Sequence, residues 1–481
     1  MAERVGATRR IMAIEDLPQF LFDIYALSLP RGHGFGDRPP CKGWQTSDGS
    51  AFGVARRSDD GVYGALVMRR RTDGVWTLTA DEHDFVSLEA AQARIANLLR
   101  EGEPPEPLPP GTPARPSLGD LGERQPGRTF NMFLMRSHQR AAWVLNQLYL
   151  ALPRPDPNWA SDCQTANFHT RLWEAILLAS FREQGVLVSQ PFDAPDFKLE
   201  NRGGDVAWVE AVTANAAAPY EHVNAKREPP PTEKAELFFG PAAERFAKTL
   251  GSKLQRRYDQ YPHVKGQPFA LALADFHAPA SMTWSREGLI GYLYGLGAET
   301  VETAGQPVGR YMQAPEHVGR GTMKTGLFTD PRHAELSAVI FSNACSMAKL
   351  NRVIASAGGA PDDLRWTRFG EFFDRRPGTL KGIPFCLDVA GEAYRSLWPQ
   401  GWEPWSAELE VFHNPFAAHP MPQTLLPECQ HWFEQDGEIV CRAFYETSVL
   451  WSQTYIQPVE APPLTLERLL AAGDEGNEIL E

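Results

Sequence analysis

Cysteine is scarce, with six in 481 residues, at positions 41, 163, 345, 386, 429 and 441. None forms a CxxC pair, which excludes a disulfide-stapled scaffold and a paired zinc knuckle. Cys429, His431 and Cys441 come nearest to a metal cluster and lack that knuckle. Lysine is also sparse: ten of the 47 basic residues, so each lysine position carries information. Long apolar runs are missing. The stretches 175–179 and 269–274 fall far short of the roughly 20 residues a spanning helix needs, so no membrane segment is expected. MAERVGATRR is followed by acidic Glu15 and Asp16 rather than a signal-type apolar core, and a reducing cytoplasm is the expected location. There is no glycine-rich phosphate loop, no GxSxG elbow and no internal repeat. Net positive charge is missing as well. A formal charge of −13 argues against gripping polyanions over the whole surface, though a local basic groove remains compatible with it.

A chain of 481 residues exceeds what one hydrophobic core usually serves, so two or three domains are expected. The clearest boundary is EGEPPEPLPPGTPARPSLGDLGERQPG, residues 101–127. There proline fixes φ and removes amide donors, predicting a semi-extended linker. Residues 1–100 read as a small α+β module. Three alternating segments (51–57, 62–71, 74–80) are joined by Asp-Gly turns and followed by a helix over 87–99 capped by Ser87. The run Arg69-Arg70-Arg71 suggests nucleic acid, with a solvated strand end as the plainer reading. Residues 128–456 form the large α/β part and 457–481 an acidic tail.

Within the large part, the order over 167–276 is helix, strand, strand, strand, helix, strand. The second helix is expected to run from about Pro241 to Tyr261. Three acids sit in apolar surroundings: Glu174 in RLWEAILLASFREQG, Asp196 in APDFKLE and Glu210 mid-strand in VAWVEAVTA. Carboxylates so placed need a partner cation or a metal ion. Strand alternation lets Asp196 and Glu210 converge on one face, with Glu174 reaching in from the packed helix.

Pro195-Asp196, Glu210-Ala211-Val212 and the upstream helical Glu174, on this succession of elements, resemble the PD-(D/E)XK nuclease superfamily. The resemblance covers about 110 residues, Asn167 to Phe276. It implies a restriction-endonuclease-like mixed sheet flanked by helices and a Mg²⁺- or Mn²⁺-dependent hydrolysis of DNA phosphodiesters. Asp196 and Glu210 would be metal ligands and Glu174 an outer or second-metal ligand. A hard cation with oxygen ligands suits this chemistry, because it polarises the phosphoryl oxygen and generates hydroxide at neutral pH. Bacterial genome defence is a common role in that superfamily. The chain departs from the pattern at Val212, where the motif lysine is expected. Lys253, on the following helix beside its Phe246–Leu250–Leu254–Tyr258–Tyr261 stripe, is the expected replacement, with Lys198 as its rival and Gln190 also within possible reach.

Lys226, Arg227, Arg256 and Arg257 are candidate groove cations for DNA, with RNA not excluded and a homodimer or protein partner as further options. The alternative is an inactive nuclease fold serving as a nucleic-acid-binding or protein-binding subunit, for which Val212 speaks. A weaker third reading is a glycosidase using two of the carboxylates. His413-Asn414 and His419 read as a turn leaving a buried strand. Ser342, Cys345 and Ser346 lack an evident base and read as packing.

Overall fold

A computed structural model describes residues 13–26, 40–58, 60–101, 105–216, 228–303, 306–376 and 382–468. The chain is mixed α/β. Its centre is an eight-stranded sheet: β1 (Leu187–Ser189), β2 (Phe197–Glu200), β3 (Val206–Asn215), β4 (Phe269–Phe276), β5 (Ala338–Ser342), β6 (Leu409–His413), β7 (Gln430–Gln435) and β8 (Glu438–Ala443). The strands lie side by side in chain order. β1 to β3 are an antiparallel meander, and β3, β4 and β5 run parallel. β6 and β7 are parallel to each other and antiparallel to β5 and β8. The late strands, around 336–342 and 408–412 in the sequence, thus belong to the same sheet as the acidic strands.

β4, FALALADF, is buried along its whole length, as expected of a parallel strand covered on both faces. β3 shows the two faces separately. Ala207, Val209 and Ala211 join one core with helices α1 (Gln139–Ala151) and α2 (Phe168–Glu183). Trp208, Val212 and Ala214 join the other, with α3 (Pro241–Leu254) and α4 (Arg286–Tyr294). Pro195 is preceded by a cis peptide bond.

The helix expected to reach Tyr261 stops at Leu254. Arg257 adopts left-handed φ (52°) and a 3-10 turn, Tyr258–Gln260, follows. This break re-aims Tyr258, which matters for the site below.

The first hundred residues form five antiparallel strands rather than three, since 14–16 and 40–46 add to the sheet. The helix Leu88–Glu101 packs on one face through Ala91, Ile95 and Leu99. It lies so close that a Cβ on Gly53 would stand 2.4 Å from Ile95 Cγ2. The other face, with Phe52, Leu66, Met68 and Trp76, shares a core with Leu145 and Leu148 of α1.

The described part of the proline-rich segment is fastened rather than free. Glu106 N–H donates to Arg70 O (2.8 Å), Arg115 donates to Leu150 O (2.6 Å), and Leu118 is buried. The Arg69–Arg71 run is used internally. Arg69 donates to Leu98 O (2.6 Å), Arg70 to Gln147 Oε1 (3.0 Å) and Arg71 to Asp73. These bonds explain the basic run without nucleic acid.

Residues 364–372, 383–388 and 449–458 form a separate three-stranded antiparallel sheet. Buried charges tie it to the main body. Lys349 donates to Glu403 (2.9 Å) and Glu408 (2.7 Å), Arg352 to Glu403 (3.0 Å), and Arg368 to Glu408 and Tyr394. Among the described residues, no helix is long and apolar enough to cross a membrane.

Candidate active site

Lys198 lies directly across from Trp208 in the β2–β3 pairing, and Phe197 across from Val209. Extending that register by one pair sets Asp196 opposite Glu210. Both side chains then fall on the α3 face, because alternate residues share a face. Asp196 Oδ2 accepts the backbone N–H of Ala211 at 2.7 Å, which anchors it to β3.

Glu210 is reached from two further elements. Lys253, in the last turn of α3, donates Nζ–H to Glu210 Oε1 at 2.6 Å. Tyr258, beyond the left-handed break, donates its hydroxyl to the same oxygen at 2.7 Å. The Lys253 side chain is 20% exposed and that of Glu210 6%, so the pair is closed toward the core and open on the lysine side. Glu210 Oε2 is buried without a hydrogen-bond partner among the described residues. A buried carboxylate oxygen left unpaired is costly, and a ligand cation is one thing that satisfies it.

Asp196 is held well above the usual carboxylate range. Burial is the largest cause, followed by the negative charges of Glu210 and then Glu174, against which the Ala211 N–H and Lys253 pull only partly. Two neighbouring carboxylates that repel through low dielectric invite a divalent cation.

Glu174 is differently placed. Oε2 accepts Trp159 Nε1–H at 2.6 Å and Oε1 accepts Arg171 at 2.9 Å, while Arg171 also holds Asp162. Both its oxygens are engaged by protein donors, so the outer or second-metal role that the resemblance implies for it would require one of these bonds to give way. It acts on Asp196 through its charge. Its own carboxyl is pushed up, chiefly by burial, with Arg171 and Trp159 opposing.

Of the rival cations, Lys198 turns to Glu200 (3.2 Å). Gln190 accepts from the Arg154 backbone N–H at 3.0 Å. Arg256 is exposed and donates to Tyr258 Oη at 3.4 Å, one bond from Glu210. Arg257 is paired in fork geometry with Asp259. Lys226 and Arg227 lie outside the described residues.

Asp275, buried on the same sheet face, sits at the register of Ala214 rather than Glu210, roughly 13 Å along the strands, and accepts from His277. It does not join the cluster. A cavity of about 670 Å³ opens beside the end of α3, lined in part by Leu254, Arg257, Lys324 and His333, without reaching Asp196 or Glu210. Buried carboxylates with displaced pKa are candidate functional groups in their own right.

Tyr258 was missed as a site residue because an unbroken helix makes it part of the apolar stripe. Among the described residues no group of three or more His, Cys, Asp and Glu is arranged to hold a metal, and Cys429 with His431 and Cys441 forms none. His413 and His431 instead bond to each other (2.8 Å). Searches of family models, curated proteins and solved structures found no match to this chain.

Proposed function

We propose that the chain is a divalent-cation-dependent nuclease hydrolysing phosphodiester bonds, with Asp196, Glu210 and Lys253 as its working residues. The observation that carries this reading is the junction at Glu210. One oxygen is held by Lys253 and Tyr258, the other is buried and free, and Asp196 is pressed against the same strand. The order α2, β1, β2, β3, α3, β4 supports a restriction-endonuclease-like arrangement, since it is the succession that accompanies such a site in the PD-(D/E)XK pattern.

The residues suit Mg²⁺ or Mn²⁺. Mg²⁺ is commonly bound by one or two carboxylates plus substrate phosphate, retaining waters, so Asp196 and Glu210 suffice as protein ligands. When bound, the cation polarises the phosphoryl oxygen and lowers the pKa of water. The chain's own part is to place charge. Lys253 brings a fixed ammonium to the point where negative charge grows on the phosphate, substituting from α3 for the lysine that Val212 displaces. Tyr258 holds the Glu210 carboxylate in one orientation, leaving Oε2 for the cation. Glu174, anchored by Arg171 and Trp159, keeps Asp196 reluctant to ionise until a cation arrives.

The test is nicking of supercoiled plasmid with Mg²⁺ or Mn²⁺ by wild type and by Asp196→Asn, Glu210→Gln and Lys253→Met. Loss of about a hundredfold or more in each variant is expected, as for removal of a preorganised electrostatic group. A second reading, a metal-free subunit that binds nucleic acid or protein, is favoured by the buried Val212 at the motif position. It prevails if calorimetry finds no Mn²⁺ bound to folded wild type.

A further inference from the structure

Next to the acidic pair stands a group of rings. Phe192, four residues before Asp196 in the β1–β2 loop, stacks on His263 with centroids 3.8 Å apart and planes 15° apart. His263 lies 4.8 Å from Trp208 and 5.6 Å from Tyr261. Trp208 precedes Glu210 by two residues on β3 and shares its face. The stack is therefore one strand step from the carboxylates.

Hydrogen bonds hold the shelf in place. His263 Nε2 is 2.9 Å from Ala194 O, Arg154 donates to Pro191 O (3.4 Å) and Asp193 (3.1 Å), and Gln190 caps the Arg154 N–H. Yet Phe192 is 47% exposed. His263 stacks on its ring and Trp208 lies tilted 6.0 Å from it, and about half of the side chain remains open to solvent. Most large apolar residues near it, such as Trp208, are buried.

Charge completes the setting. Exposed Arg256 donates to Tyr258 Oη at 3.4 Å, and Tyr258 links the two groups: its hydroxyl donates to Glu210 and its ring lies 5.5 Å from Tyr261, which borders His263. Lys253 shares Glu210 Oε1 with Tyr258. A cation beside a presented aromatic face matches a strand whose phosphates alternate with bases.

We infer that the site takes a single-stranded or locally unpaired nucleic acid, with an unstacked base lying on Phe192 and the neighbouring phosphate on Arg256. In an intact duplex each base face is covered by its neighbours, so only an unpaired base can use this shelf. The inference rests on the nuclease reading for the role of the acidic pair but not for binding itself.

The experiment measures binding without cleavage. Fluorescence anisotropy is read in EDTA with a labelled 15-mer as single-stranded DNA, as single-stranded RNA and as duplex DNA. Wild type is compared with Phe192→Ala and Phe192→Trp, whose melting temperatures are checked first. The expected result is preference for a single strand over duplex, about tenfold or greater weakening of single-strand binding in Phe192→Ala, and recovery in Phe192→Trp. The DNA and RNA arms identify which strand is preferred. Equal or better duplex binding, unchanged binding by Phe192→Ala, or no binding of any strand overturns the inference. Single-strand binding that depends on Phe192, with no cleavage under Mn²⁺, leaves the shelf standing and removes the nuclease reading. Metal-dependent cleavage with binding indifferent to Phe192 does the reverse.

Discussion

Two clusters of buried charge lie in this molecule, and they are built on opposite terms. Around Lys349, Arg352 and Arg368, three cations surround Glu403 and Glu408, and all five side chains are at most 3% exposed. No buried nitrogen or oxygen of these five lacks a partner. Although burial is the largest influence on Glu403 and would raise it, the combined pull of Arg352, Lys349 and Arg368 brings it below the usual carboxylate range. Around Asp196 and Glu210 the balance is reversed. One lysine serves two carboxylates, an oxygen is left unpaired, and Asp196 is pushed up. A cluster that closes on itself fastens a sheet to the body. One that remains a cation short is poised for something that binds, and stored electrostatic imbalance of this kind is typical of functional sites.

The sharpest way to break the contrast is to remove one partner from each cluster. Arg368→Met strands Glu408 and Glu403 in the interior, and a loss of about 3–5 kcal/mol is expected, read as a large fall in thermal or urea midpoint. At the other cluster the sign inverts. Asp196→Asn removes repulsion, so the metal-free protein should gain stability by about 1 kcal/mol, whereas Glu210→Gln also takes the counter-charge from Lys253 and should gain less; both should lose cleavage. A melting temperature that falls in both variants would show that the pair is structural after all. Mn²⁺ should raise the wild-type melting temperature, by about 2.7 kcal/mol of stabilisation at a hundred times its Kd. Both carboxylate variants should lose that rise.

The sequence made this contrast only half legible. Asp196 and Glu210 stood out because acids inside strand-period apolar runs need explanation, and Lys253 because lysines are few and this one borders an apolar stripe. Alternation along β3 settled which side chains share a face. Tyr258 was hidden by a helix end that no proline or glycine marks: Arg257, a residue ill suited to positive φ, makes the break. Arg171 precedes Glu174 by three residues on the same helix, a spacing open to reading, but Trp159 and Asp162 reach this pair from a separate helix, and helix-to-helix contacts of that kind leave no periodic trace. The closed cluster was unread for the same reason, since Lys349, Arg368 and Glu403 come from three distant segments. The five-strand count of the first sheet was missed because Pro40–Thr46 begins with proline and lacks clean alternation. The proline-rich segment looked free because composition reports backbone stiffness but not what the backbone docks against.

The pH dependence of the two clusters should differ in sign. Glu403 and Glu408 are depressed in the fold, so their stabilisation is complete above the unfolded carboxylate value of 4.5 and is lost as pH falls below it toward the folded value. Asp196 is raised from 3.8. Its penalty is absent below that value, grows as pH rises toward the folded pKa, and is full above it. The gain in stability of Asp196→Asn over wild type should therefore be largest near pH 8 and vanish toward pH 4, by scanning calorimetry in EDTA. A gain that is flat with pH would mean that the substitution acts through packing rather than charge.

The smallest expected effect is also the most specific. Glu174 raises Asp196 by its charge and not by contact with a cation. Glu174→Gln removes that charge and keeps one acceptor oxygen, which in the place of Oε2 still takes Trp159 Nε1–H (2.6 Å) and Arg171 (3.2 Å), while the Arg171 bond to Oε1 is lost. Asp196 should then ionise at lower pH, and because a cation binds the deprotonated carboxylate, the acid limb of Mn²⁺ binding should move to lower pH with the plateau affinity nearly unchanged. Calorimetric titration across pH 4–8 separates this from direct ligation. A ligand lost would lower the plateau itself and leave the limb in place, and that outcome would return Glu174 to the coordination sphere.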